Sequence, residues 1–358
     1  MVGKVAKRQE PEDRISKLPD ELLCRILSEL DSCEAVQTCV LSKRWVNIWT
    51  TLPCLNYAPK ERIGDVYYCK HFVKKFLKYR NQQSVITTFN VDCQFFYMRI
   101  LKYALAYNVE NLRIRNEHYR GSTCLNSAFI KTLHLTLCRE VNPMDWNLPN
   151  LTYLYLENVK FGTQISGFDN LKELTLAGFF EIFYGLEIYT INCPNLESLT
   201  LGPDHRYCTF VVSAPKLLYF EFRSTHVPDF CAGDGFPLVK EVDIDIQIED
   251  YDWEFYDDDR IKFTMQNHIK MLNAVRGTPL LKLSSETIEF LRRIPEFSGY
   301  QPSPLDNLKF LSLRGLDDMP TRSTDHVISY LLSNSPSADI LKGNVGASQK
   351  LENERMYL

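Results

Sequence analysis

The chain has no long uncharged apolar run: its most apolar later stretch, around Leu174 to Cys193, is interrupted by Glu181 and Glu187. It therefore falls short of the roughly 20 apolar residues that a membrane-spanning helix needs. The first residues carry Lys4, Lys7 and Arg8 without the apolar core of a secretory signal, and residues 1–11 are expected to be a disordered lead-in. Charge of one sign is also lacking. A formal net charge of -4 gives no general drive toward nucleic acid or an anionic membrane, so neither is expected as a partner. Eleven cysteines, an odd number without a CxxC pair, argue for reduced thiols in the cytoplasm and/or nucleus. Cys193, His205, Cys208 and Cys231 come nearest to a metal cluster but are too widely spaced, and buried apolar thiols are the expectation; no metal or cofactor is predicted. Glycine-rich phosphate loops, nucleophile elbows and paired Cys/His sites are missing too. His118, His134, His205, His226, His268 and His326 stand singly, so catalysis by this chain is not expected.

What is present begins at residues 12–54. Pro19 fits the first position of a helix, and Asp20 and Glu21 place negative charge in its first turn, where the helix dipole favours it. At about 100° per residue, Leu22, Leu23, Ile26, Leu27 and Leu30 fall within an arc of roughly 140°, which predicts one buried face. Asp31 with Glu34 resembles a capping box for a second helix carrying Ala35, Val36, Cys39 and Val40. Ser42 is expected to cap a third, carrying Trp45, Val46, Ile48 and Trp49 and stopped by Pro53. Three helices in so few residues bury little surface, so part of their apolar area awaits a partner.

The ordered string Leu18-Pro19, Leu22/Leu23/Ile26/Leu27 and Val40-Leu41-Ser42-Lys43-Arg44-Trp45 with Trp49 resembles the F-box in its plant form. That resemblance implies docking to a Skp adaptor and, through it, to a cullin-RING scaffold, with an unknown protein as substrate. It carries over Leu18, Pro19, Leu22, Leu23, Ile26, Leu27, Leu41 and Trp45 as adaptor contacts, with Trp49 supporting the fold.

Next come a strand at Leu55–Ala58, a helix at Val66–Tyr79, a strand at Val85–Val91 and a helix at Phe96–Tyr107. A phrase, apolar-x-x-apolar-x-apolar, then recurs at Val109/Leu112/Ile114, Ile130/Leu133/Leu135, Leu151/Leu154/Leu156, Leu171/Leu174/Leu176, Leu196/Leu199/Leu201, Leu217/Phe220/Phe222 and Val239/Val242/Ile244. Spacings of 20 to 25 residues are those of leucine-rich repeats. Lead-ins such as Leu148-Pro149-Asn150 and Cys193-Pro194-Asn195 place proline in a turn before the strand. Three residues past the phrase, where the repeat consensus has Asn or Cys, the chain has Cys138 once and otherwise Glu117, Val159, Phe179, Asp204 and Thr225. A hydrogen-bonded ladder is accordingly not expected there, and the loops should be irregular. Past Ile248 an acidic run, Asp250–Asp259, precedes a helix over Phe263–Val275. Thr278/Leu281/Leu283 and Leu308/Leu311/Leu313 then repeat the phrase at spacings of 39 and 30, long enough for real helices.

The end of the chain, LDNLKFLSLRGL followed by a helix over His326–Leu332 and SNSPSADILK, resembles the plant FBD region. Together these features resemble the plant F-box/FBD/leucine-rich repeat family. The expected fold is α+β: a three-helix F-box over residues 12–54, a curved α/β solenoid over 55–300, a divergent FBD-like part over 301–345 and a tail over 346–358. Alternate positions of each strand should face outward and bind the substrate: Arg113, Arg115, His134, Tyr153, Tyr155, Glu157, Tyr219, Glu221, Arg223, Glu241, Asp243 and Asp245, basic early and acidic late. The resemblance implies a non-catalytic substrate receptor of a ubiquitin ligase. A Skp-binding scaffold without substrate turnover and a ligand-dependent, hormone-like co-receptor are the alternatives.

Overall fold

The computed structural model describes residues 15, 17–57, 66–92, 98–115, 124–137, 141–159, 162–178, 187–203, 208–247, 258–293, 303–315 and 325–342. The expected lead-in and tail, Cys138 and Asp250 to Asp257 of the acidic run lie outside them. The chain divides into two compact units, with the change falling at Val109 and Glu110.

In the first unit, α1 (Asp20–Ser28) follows Pro19 and carries Asp20 and Glu21 in its first turn. Asp31 caps α2 (Ser32–Gln37) by accepting from the Cys33 N–H at 2.7 Å. A 3-10 turn over Thr38–Val40 leads on toward α3 (Lys43–Thr50). Ser42 occupies the cap position of α3 but its side chain makes no capping bond, a departure from expectation. Arg44 does the fastening instead: its guanidinium donates to the Leu18 carbonyl and to the Asp20 carboxylate, tying α3 to the start of α1. The unit continues through β1 (Cys54–Tyr57), α4 (Val66–Tyr79), β2 (Thr88–Asp92) and α5 (Met98–Ala106). β1 and β2 pair in parallel, setting Leu55 opposite Phe89 and Tyr57 opposite Val91, all buried. Trp49 packs on Phe76 with ring centroids 5.5 Å apart, and Phe72 stacks on Tyr57 at 5.4 Å, so the three helices share a core with β1 and α4. Small helices gain in this way the burial they cannot supply alone.

The second unit runs β3 (Asn111–Arg115), β4 (Thr132–Thr136), β5 (Tyr153–Glu157), β6 (Gln164–Ser166), β7 (Glu173–Ala177), β8 (Glu187–Asn192), β9 (Ser198–Leu201), β10 (Cys208–Ser213), β11 (Tyr219–Ser224), β12 (Asp229–Cys231), β13 (Glu241–Ile246), α6 (Asp258–Ala274), β14 (Leu280–Ser284), α7 (Ser285–Arg293), β15 (Phe310–Arg314), α8 (Asp325–Leu331) and β16 (Asp339–Lys342). From β3 a front sheet passes through β4, β5, β7, β9, β11, β13, β14 and β15 to β16, every pair parallel. The recurring phrase fixes its register. Leu112, Leu133, Leu154, Leu174, Leu199, Phe220, Val242, Leu281 and Leu311 stand opposite one another in one column, none more than 1% exposed. Ile114 through Leu313 form a second buried column. A one-residue slip would turn both columns into solvent, so the phrase sets the pairing as well as the core. The FBD-like end follows the same rule: β16 pairs with β15, and α8 lies between them in sequence.

Two expectations about the loops are corrected. First, the back of the shorter repeats is built from a second parallel sheet, in the order β12, β10, β8, β6. Second, an asparagine ladder does exist, displaced to the turns before the strands. Asn150, Asn170, Asn195 and Asn307 each donate Nδ2 to a carbonyl of the preceding repeat, those of Ala128, Pro149, Asp169 and Gly277, at 2.7–2.9 Å. The turns themselves close with backbone bonds such as Leu196 N–H to Cys193 O at 3.2 Å, around the expected prolines. At the other end of the strands, Leu137, Asn158 and Gly178 leave β4, β5 and β7 in the left-handed region, with φ of 59°, 49° and 71°. Where the spacing lengthens, helices replace back strands, as expected; α7 was not foreseen.

Candidate functional site

Two surfaces stand out, one in each unit. In the first, α1 does not bury one face: Leu23 and Leu27 are 0% and 1% exposed, whereas Leu22 and Ile26 are 46% and 48% exposed. The predicted single buried arc is thereby corrected, because its two halves point to different surroundings. Trp45, Ile48 and Trp49 of α3 are buried, while Leu41, Val40 and Val46 are exposed; Pro19 is exposed and Leu18 half-buried. Of the carried-over contacts, then, Pro19, Leu22, Ile26 and Leu41 are open to solvent and Leu23, Leu27, Trp45 and Trp49 build the core. Ile15, 57% exposed, extends the apolar surface and was not singled out from the sequence. Single exposed leucines are ordinary; several large apolar side chains left open in so small a unit make a candidate contact area.

In the second unit, the outward positions of the front strands are the ones the phrase predicted. Arg113 and Arg115 on β3 are exposed. Beside Arg113 in register, His134 on β4 stacks on Tyr153 at 4.9 Å and on Tyr155 at 5.2 Å, giving three half-buried rings. Burial, with Arg113 adding to it, holds the His134 pKa below the usual imidazole value. The Tyr155 hydroxyl donates to Glu157 at 3.1 Å, and burial and that carboxylate raise its pKa. Next in the columns come Glu173 and Thr175 on β7, then Ser198 and Thr200 on β9.

At the late end the expected run of acid is matched by base. Arg223 pairs with Glu221 at 2.7 Å, Lys282 with Glu241 at 2.5 Å, and Arg314 with Asp243. Burial pushes the Asp243 pKa above the carboxylate range, with Arg314 opposing it. All of these except Arg314, with Ser198, Thr200 and Tyr219, line an open concavity. Lys282 and Arg314 escaped the sequence reading, although extending the phrase to its eighth and ninth copies places both at outward positions. Asp245, half-buried, stands opposite Arg223 in the register. Among the described residues no group of three metal-binding side chains occurs, and no helix is long and apolar enough to cross a membrane.

Residues 15–57 match the family model of the F-box domain. Curated proteins of Arabidopsis thaliana are similar over longer spans. One, provisionally named an FBD-associated F-box protein, is 30% identical over 65% of this chain and 60% of its own length. An F-box/FBD/LRR-repeat protein is 29% identical over 61% of this chain and 52% of its own length. An FBD-associated F-box protein is 26% identical over 92% of this chain and 83% of its own length. The chain thus spans little more than half the length of some of the relatives it matches.

Proposed function

We propose that this chain, which belongs to the plant F-box/FBD/leucine-rich repeat family, is the substrate-recognition subunit of a Skp-cullin-F-box ubiquitin ligase. F-box proteins in general act as substrate adaptors of ubiquitin ligases. In this reading Pro19, Leu22, Ile26 and Leu41 touch the Skp adaptor, Leu23, Leu27, Trp45 and Trp49 hold the docking surface in shape, and the front sheet holds a protein to be modified in the cytoplasm and/or nucleus. In this reading the chain itself contributes position and not an acid, base or nucleophile. It works by raising the effective concentration of its client near a conjugating enzyme carried elsewhere on the scaffold.

The observation that supports this most directly is the division of α1, with Leu23 and Leu27 inside the unit and Leu22 and Ile26 presented to solvent, as Leu41 is. The test is co-expression with a Skp adaptor, comparing the natural chain with Leu22→Asp/Ile26→Asp. Charge at exposed positions leaves the core alone but cannot enter an apolar interface without losing hydration. Substituting Trp45, which is 5% exposed, would confound folding with binding. Loss of co-purification with an unchanged thermal midpoint supports the proposal. A natural chain that is folded and does not co-purify refutes it.

A further inference from the structure

The two ends of the front sheet differ in what they leave open to a partner. At the β11–β15 end the cations are held: Arg223, Lys282 and Arg314 each meet a carboxylate, and the Lys282–Glu241 pair is well shielded, at 16% and 13% side-chain exposure. A ligand charge arriving there must displace an existing pair. At the β3–β5 end the situation is reversed. Arg113 is exposed and sits in register beside His134, whose ring stacks on those of both Tyr153 and Tyr155. Glu157, the carboxylate nearest this strip, already accepts from the Tyr155 hydroxyl at 3.1 Å and from Thr136 at 3.5 Å. The rings are flat, partly desolvated and fixed by stacking, so a side chain laid on them gains contact area at small cost in lost freedom. With His134 kept largely neutral, the positive charge beside the rings comes from Arg113 on β3, with the carboxylates of Glu157 and Glu173 on the other side of the strip.

We propose that the β3–β5 end of the front face is the recognition site, and that it takes an acidic segment of a partner protein, with a carboxylate against Arg113 and an aromatic or apolar side chain on the Tyr153–His134–Tyr155 stack. Glu173, exposed and opposite Tyr153 on β7, sets the far limit of the strip and repels acid placed beyond it. The proposal rests on the receptor reading only in calling that partner a client; the chemistry of the strip stands without it. Arginine beside stacked aromatics is a combination in which the cation orients and the rings anchor.

The experiment uses the full chain and four pools of fluorescein-labelled nine-residue peptides with one central aromatic residue, flanked by Asp/Glu, by Lys/Arg, by Ser/Asn or by phosphoserine, with binding read by anisotropy. The acidic pool should bind about tenfold or more tighter than the basic pool, and binding should weaken as salt rises, as expected for exposed charges. Arg113→Glu should remove that preference and transfer it to the basic pool, which a merely structural role of Arg113 would not do. Arg113→Gln should lose the acidic preference without gaining the basic one. A basic pool that binds as well as the acidic one, an unchanged preference in Arg113→Glu, or binding only by the phosphoserine pool would overturn the proposal. The adaptor test is separate. Leu22→Asp/Ile26→Asp should leave peptide binding intact, and failure of the natural chain to co-purify with a Skp adaptor would sink the receptor reading without altering the peptide result.

Discussion

Asp243 on β13 and Arg314 on β15 pair across the intervening strand β14, 71 residues apart in sequence. The contact reaches from a repeat of the regular solenoid into the FBD-like end and shares the front face with the Lys282–Glu241 pair, whose lysine lies on the strand between. Arg314→Gln leaves Asp243 with a raised pKa and without its nearest cation. The variant should lose about 1 kcal/mol at neutral pH, the usual scale for a partly exposed pair, and regain part of the loss as acid protonates Asp243. Urea midpoints at pH 7 and pH 4.5 decide it; an equal loss at both would sink the electrostatic account.

The division of α1 makes a paired prediction. Leu23→Ala empties a fully buried site and should cost about 2–5 kcal/mol. Leu22→Ala, one residue away, should change stability by less than about 0.5 kcal/mol while weakening adaptor binding. Thermal melts and co-purification measure the two effects separately, and similar melting losses for both would contradict the observed burial.

Acid should act through His268 on α6, whose ring is 0% exposed and whose pKa burial lowers to about 4 from 6.5. Above pH 6.5 the ring is neutral whether the chain is folded or not. Below it the unfolded chain takes up a proton that the folded one refuses, so stability falls between pH 6.5 and 4. At pH 5 the loss should be about 2 kcal/mol, and His268→Phe should remove that slope whatever it does to stability at pH 7.

Leu137 leaves β4 at φ 59°, where Asn158 and Gly178 do the same job after β5 and β7. A leucine side chain is strained in that region, and asparagine tolerates it. Leu137→Asn should therefore raise stability by about 0.5–1 kcal/mol, measurable as a shift in denaturant midpoint. Destabilisation would show that the leucine side chain contributes more than its backbone costs.

Thiol reactivity should follow burial. Cys193 and Cys208 are buried, and their pKa values are pushed up to about 12; Cys124 and Cys231 are exposed. Brief treatment of the folded chain with iodoacetamide should modify the second pair and spare the first, as peptide mapping would show.

The front sheet could be read from the sequence because each strand must place apolar side chains in the same two columns, and that demand repeats at a nearly constant interval. The same repetition located the outward face, although reading stopped short of Lys282 and Arg314, which alter its charge. The back strands were harder. Glu187–Asn192 and Cys208–Ser213 do alternate, but each lies within a region of mixed apolar character, and their partners are set by the solenoid rather than by any local signal. The asparagine ladder was sought three residues past the phrase and found just before it, since what matters is that an amide reaches the carbonyl of the previous turn, not which side of the strand provides it. On α1, periodicity found the apolar residues but could not say which would meet core and which would remain outside, because both satisfy the same helical spacing.

In the proposed reading, the exposed Ile15, Leu22, Ile26 and Leu41 tie the fate of the polypeptide to stoichiometry. Apolar area left in water is a liability until something covers it, and any protein that covers it adds its binding free energy to the folded state. Produced in excess over its cover, the chain should behave as an orphan subunit, associating with itself and falling to quality control. In balanced production the same residues keep it soluble and long-lived, so that its abundance follows supply of the protein that covers them.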